Sequence, residues 1–263
     1  VALRKWNHPG LLLSGRSGRT RGLMKASDSG DDDMITRLFK RFLPTPEEMG
    51  LGQISVDTAP EQYYCTKERW ADPVDGDDET VQLFRPALAQ TNFEKRKLKL
   101  AYDGSENGWD ADKFHDCLDA QGPAVVFARC ASGAVVGGYN PKGWVNYGEF
   151  RASLAAFLFT WPDGNTEALP TKISKVAGAG LAQVDDGSGP KFGMDDLAIP
   201  LNSNKNPRLI VSKLGSYYER MPGGEQSLFG ARNDELLELK VYIGVYGEDE
   251  FVPNTEPSFA SIT

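Results

Sequence analysis

Leu98-Lys-Leu-Ala-Tyr-Asp-Gly-Ser-Glu-Asn-Gly-Trp109 opens the stretch that decides the fold, which runs on to Thr160. An amphipathic run follows, then Gly122-Pro123-Ala-Val-Val-Phe127, a hairpin signal, and Phe157-Leu-Phe-Thr160. The order is strand, glycine turn, helix, buried strand, hairpin, strand. Asp110 stands where a helix cap belongs, Ala111, Phe114, Cys117 and Leu118 line one helical face, and Gly122-Pro123 ends the run. Ala124 to Ala128 is continuously apolar and short, which suits a strand buried on both faces. Ala131-Ser132-Gly133 makes a tight turn into the strand Ala134 to Tyr139.

Outward from this stretch the pattern continues. Leu154 to Thr160 and Leu239 to Tyr246 read as strands. In the latter, Leu239, Val241, Ile243 and Val245 alternate with Lys240, Tyr242, Gly244 and Tyr246, so the aliphatic set faces inward. Many short strands, a few short helices and frequent glycine turns predict a mainly β, α+β protein, a two-sheet antiparallel β-sandwich. The sandwich is expected over 98–247. Before it, 34–97 reads as an extension with an amphipathic helix and an acidic, turn-rich loop at Trp70 to Glu79; after it, 248–263 reads as an acidic, mobile tail.

Residues 1–33 are basic, then polar. Val1 to Lys25 holds Arg4, Lys5, Arg16, Arg19, Arg21 and Lys25 without one Asp or Glu, the composition of a mitochondrial or chloroplast transit peptide. A disordered basic tail, or sequence upstream of a start at Met24 or Met34, gives the same composition. In the helix from Met34 to Leu43, Ile35, Leu38, Phe39, Phe42 and Leu43 share a face. So short a helix is not stable alone, and this stripe must meet its own domain, a protein partner or an anionic membrane surface.

The 263 residues carry a formal net charge of −8, which argues against nucleic-acid binding. No apolar run approaches a membrane span. Three cysteines, Cys65, Cys117 and Cys130, point to a reducing compartment without a disulfide framework.

Tyr102 to Trp109, Gly122-Pro123 before an apolar strand, Gly133 and Gly137-Gly138 at the hairpin, Trp144, Phe157-Leu158-Phe159, and Ser227-Leu-Phe229-Gly230 before the strand Leu239 to Gly247 form an ordered set. The set resembles the TLDc family. It departs from that pattern at Ala155-Ala156, where an acidic residue is common, at Gly189 to Gly193 and Ile199 to Leu201, which replace a glycine run followed by an aromatic and Leu-Asp, and over Asn202 to Arg220. The resemblance implies a β-sandwich that docks proteins or regulates them without intrinsic catalysis. It also implies a role in oxidative-stress protection and binding to the peripheral, cytosolic part of the vacuolar proton-pumping ATPase. The protein would then be cytoplasmic, associating peripherally with a vacuolar membrane and needing no cofactor.

The chemical motifs are weak. Asp103-Gly-Ser105-Glu-Asn107-Gly108 starts like a calcium loop, but Phe114 stands where the bidentate Glu belongs, so a turn is expected. His115, Cys117 and Cys130 lack zinc-ligand spacing. His115 is the one histidine placed for a nucleophilic site, and its short, surface-type helix argues against that role. Gly178-Ala-Gly180-Leu-Ala-Gln183 lacks the third glycine of a dinucleotide loop and reads as a plain loop. Glu149 and Arg151, flanking Phe150, read as solvent-facing. The expected partner contacts are Lys213, Tyr217, Tyr218, Glu219 and Arg220, a polar and aromatic cluster, with Leu38 and Phe42 of the stripe. The rival functions are a carboxylate-dependent enzyme built on Asp103, Glu149, Asp195 or Asp196, and a structural subunit of an organellar assembly.

Overall fold

The computed structural model describes residues 54–176, 180–202 and 206–257. The helix expected over 34–43, with Leu38 and Phe42, lies outside them, as does the basic tail. The described residues belong to one compact unit beginning at Ile54.

Among the described residues eleven strands run in the order β4-β7-β8-β9-β10-β11-β2-β3-β5-β6, with β1 beside β11. They are β1 Leu98–Asp103, β2 Ala124–Cys130, β3 Val135–Asn140, β4 Glu149–Ala152, β5 Phe157–Trp161, β6 Thr171–Ser174, β7 Leu181–Asp185, β8 Lys191–Phe192, β9 Leu197–Ala198, β10 Leu209–Val211 and β11 Asn233–Gly244. Every pairing between them is antiparallel. Strand β11 belongs to both layers. Its first residues, Asn233 to Glu235, pair with β10, and the rest pairs with β2 and β1.

The main core lies between the layers. Val126, Val136, Leu158, Ile173, Leu239 and Val241 from one meet Ala182, Phe192, Leu197 and Ile210 from the other. Helix α3, Ala111–Leu118, closes one side with Phe114 and Leu118, and Asp110 caps it as expected by accepting from the Lys113 amide. The short helix α2, Gly104–Asn107, occupies the turn that resembled a calcium loop; Asp103 is its cap, accepting from the Ser105 amide.

A second core covers the outer face of the β11-β2-β3-β5 layer. Helix α1, Glu79–Phe84, and the turn Arg85–Leu88 bring Val81, Phe84, Ala87 and Leu88 against Val125, Phe127, Phe159 and Tyr242. This cover explains why β2 is buried on both faces and why Tyr242 is as buried as its aliphatic neighbours. It is anchored by a buried pair in which Arg85 Nε and Nη2 donate to Asp77 at 2.6 Å each. The paired fork geometry is the strong form of such a contact.

Three expectations are corrected here. Leu181–Asp185 is a strand, not part of a loop. Val245 lies beyond the end of β11 and is exposed. Residues 248–257 are seated rather than loose: Glu250 pairs with Arg96 at 2.6 Å, and Asn254 bonds to Glu61 and to the Pro141 carbonyl.

Gly137 and Gly138 sit where two aromatic rings press on β3 from opposite faces. A Cβ on Gly137 would lie 2.3 Å from the Phe159 ring and 2.2 Å from the Val126 carbonyl oxygen. On Gly138 it would lie 2.7 Å from the Phe192 ring. Backbone on one side leaves no room to yield, so Gly137→Ala is expected to cost about 1–3 kcal/mol or more. Thermal unfolding should show the loss as a melting temperature lower by roughly 3–10 °C. An unchanged melting temperature would contradict this packing.

Candidate functional site

Strand β4 sits at one end of the strand order and alternates strictly, with Glu149 and Arg151 buried and Phe150 and Ala152 exposed. This reverses the expectation that the two charges face solvent. Opposite them on β7 stand Asp185 and Gln183, so four polar side chains share the inward face. Glu149 Oε1 lies 3.1 Å from Arg151 Nε, and Asp185 Oδ2 lies 3.9 Å from Arg151 Nη1, all with side chains at most 2% exposed. Asp185 Oδ2 also accepts the amides of Val145 and Asn146, at 2.8 and 3.0 Å. The carboxylate therefore fixes the loop leading into β4.

His115, which was expected on a surface helix, is buried on α3 and bonds through Nδ1 to Asp119 Oδ1 at 2.7 Å. Burial alone would disfavour its imidazolium. The Asp119 hydrogen bond and charge, with Asp185 and Asp112 beyond, outweigh burial and raise its pKa. Asp185 is raised by burial, although the Val145 amide and Arg151 oppose the shift. Burial lowers Arg151, with Glu149 and Asp185 opposing. The neighbourhood is a charged core that locks the end of the sandwich.

The outward side is apolar. Phe150, Ala152, Gly180, Leu181, Met194 and Tyr217 line a shallow depression of about 310 Å³. Phe150 is 70% exposed and Met194 49%. Aromatic and methionine side chains grouped in this way are adaptable contact material.

The run from Lys213 to Arg220 borders this surface but does not act as one cluster. Tyr218 is fully buried, donating its hydroxyl to the Ala182 carbonyl at 2.8 Å, so it holds the loop from inside. Asp196 accepts the amides of Tyr217 and Tyr218, at 3.2 and 3.0 Å. Tyr217 is thereby placed in the depression. Glu219 pairs with Lys67, while Lys213 and Arg220 are exposed. Sequence reading missed Phe150, Leu181 and Met194. The alternation Glu149-Phe150-Arg151-Ala152 carried the signal for Phe150, with the faces assigned the wrong way round.

Each of the four carboxylates of the enzyme reading has a partner of its own. Asp103 caps α2, Glu149 lies against Arg151, Asp195 faces Arg232 at 3.4 Å, and Asp196 holds the 217–218 amides. Among the described residues no three His, Cys, Asp or Glu side chains are arranged to hold a metal ion. Cys130 is buried, and burial pushes its thiol up to about 12. Among the described residues no helix is long and apolar enough to cross a membrane.

Two antiparallel layers sharing one long strand, with a covering helix and an apolar outer surface at one end, define a β-sandwich domain. The TLDc domain model matches residues 77–237, and the chain belongs to that family. The matched stretch begins at Asp77, the partner of Arg85, so it takes in the cover of the second core, and it ends at Leu237, partway along β11. A comparison with curated proteins returned no match.

The charged core predicts a pH dependence. A histidine whose pKa is raised by folding stabilises the fold below its unfolded value, about 6.5, and that stabilisation is lost as pH rises through the folded value. The melting temperature of the wild type minus that of His115→Gln should therefore grow as pH falls from about 8 to 6. Parallel curves over that range would refute the assignment.

Proposed function

We propose that this TLDc protein is a non-catalytic docking and regulatory module that engages another protein through the Phe150, Leu181, Met194 and Tyr217 surface. The observation that carries the reading is the orientation of β4. Its charges are spent inside the fold, and its phenylalanine is held out on a braced strand. Holding an aromatic side chain in water forgoes about 1.5–3 kcal/mol of burial, which contact with a partner recovers. Lys213 and Arg220 would form the polar rim, and Tyr217 an anchor.

The family resemblance supports the peripheral, cytosolic sector of the vacuolar proton-pumping ATPase as the partner, and a part in oxidative-stress protection. The protein would then be cytoplasmic and peripheral at that membrane. Leu38 and Phe42 are proposed as a second contact or as packing for their own chain.

The test is the double variant Phe150→Asp, Met194→Asp, assayed for co-purification with the purified peripheral sector of that ATPase. Burying a charge in an apolar contact is costly, so binding should weaken by about ten-fold or more. Both side chains are exposed, so the melting temperature should stay within about 2 °C of wild type. Undiminished binding would exclude this surface. Charge reversal at Lys213 and Arg220 should weaken binding less and make it more dependent on salt.

A further inference from the structure

Residues 251–256 run over the end of the sandwich and are held there mainly by side chains. Phe251 is 63% exposed, Val252 half-buried and Pro253 buried. Val252 and the Pro253 carbonyl lie against Gly122, a glycine at φ 78° where a Cβ would stand 2.7 Å from Val252 Cγ1 and 2.8 Å from that carbonyl oxygen. The missing side chain is therefore what makes room for the strap. Asn254 adopts φ 59°, a left-handed conformation that asparagine enters at little cost. Its Nδ2 donates to Glu61 Oε2 at 2.9 Å and to the Pro141 carbonyl at 3.0 Å. Farther on, Arg151 Nη2 donates to the Glu256 carbonyl at 3.5 Å.

The seat also has contacts that do not involve the strap. The Glu61 carbonyl accepts the Leu154 amide at 2.7 Å and the Ser153 hydroxyl at 3.3 Å, which fixes Glu61 against the loop after β4. Arg151 is set by Glu149 and Asp185. Among the described backbone hydrogen bonds, none ties residues 251–257 to the seat. A segment held by one asparagine, one proline and one long carbonyl contact, with no ladder, is exchangeable in a way that a sheet strand is not.

We propose that Gly122, Pro141, Glu61 and Arg151 form a docking groove for a peptide that turns at a proline-asparagine pair preceded by an apolar residue, and that residues 252–256 fill this groove in cis. The mixed signs of Glu61 and Arg151 suit a peptide read by its amide side chain and its carbonyls. A competing segment must present the same amide to Glu61 and Pro141. This groove is separate from the Phe150 surface, so either assignment stands if the other fails.

The test uses the full chain and a fluorescent synthetic peptide of residues 247–257, followed by anisotropy at physiological salt. In the wild type the groove is occupied. In the variant Val252→Ala, Asn254→Ala the strap is weakened, and the peptide should bind about ten-fold or more tighter than to wild type. Adding Glu61→Ala should remove that gain, and a peptide with alanine in place of its asparagine should bind poorly to every form. Equal binding to wild type and variant, or none to either, overturns the proposal. A tail-exchanged dimer seen by light scattering overturns the cis assignment. If the double variant fails to fold, Asn254→Ala alone is read by the same criteria.

Discussion

Strand β11 is the element on which the rest of the structure depends. It is twelve residues long and pairs with three neighbours in two layers. The register against β2 shifts between Leu236 and Glu238, and the residue between them, Leu237, is exposed. A bulge of this kind bends a strand and lets it leave one sheet for the other. Beyond the shift, Leu239, Val241 and Ile243 enter the core between the layers, and Tyr242 enters the core beneath α1. One strand therefore registers both sheets and both cores at once. Slipping it by a single residue would exchange the two sets of side chains.

The strand at the far end of the order, β4, has little apolar burial of its own. What fixes it is charge. Glu149, Arg151 and Asp185 meet at the buried face, and Asp185 ties down the preceding loop. A buried ion cluster is weak evidence of net stability, but removing one partner leaves an uncompensated charge and is strongly destabilising. The arrangement is therefore better understood as a positional lock than as a source of stability. The lock presents Phe150 outward, the orientation that the proposed docking relies on.

Much of the fold was legible in the sequence because it rests on local signals. The Asp110 cap, the apolar run Ala124 to Phe127, the hairpin at Gly133 and the alternation of β11 all act within a few residues. The cover from α1 was harder to read. Val81, Phe84 and Leu88 show their meaning only when Tyr242 and Phe127 are seen to need an outer partner. The proposed docking surface was hardest. In Glu149-Phe150-Arg151-Ala152 the period of two was plain, but hydropathy assigned the faces in reverse, because the partners that make the charges tolerable, Asp185 and Gln183, lie more than thirty residues downstream. Tyr218 misled in the opposite way. Its polar neighbours suggested an exposed loop, while its hydroxyl has a carbonyl waiting in the core.

The most direct test of this account is native-state hydrogen exchange under rising denaturant, read for α1, β2, β10 and β11. If β11 couples both layers and the outer cover, the slowest amides of all four elements should converge on one opening free energy, the global one. If the β7 to β10 layer opened in a separate, lower-energy step while β2 and β11 stayed protected, the layers would be independent, and the central role given to β11 would be contradicted.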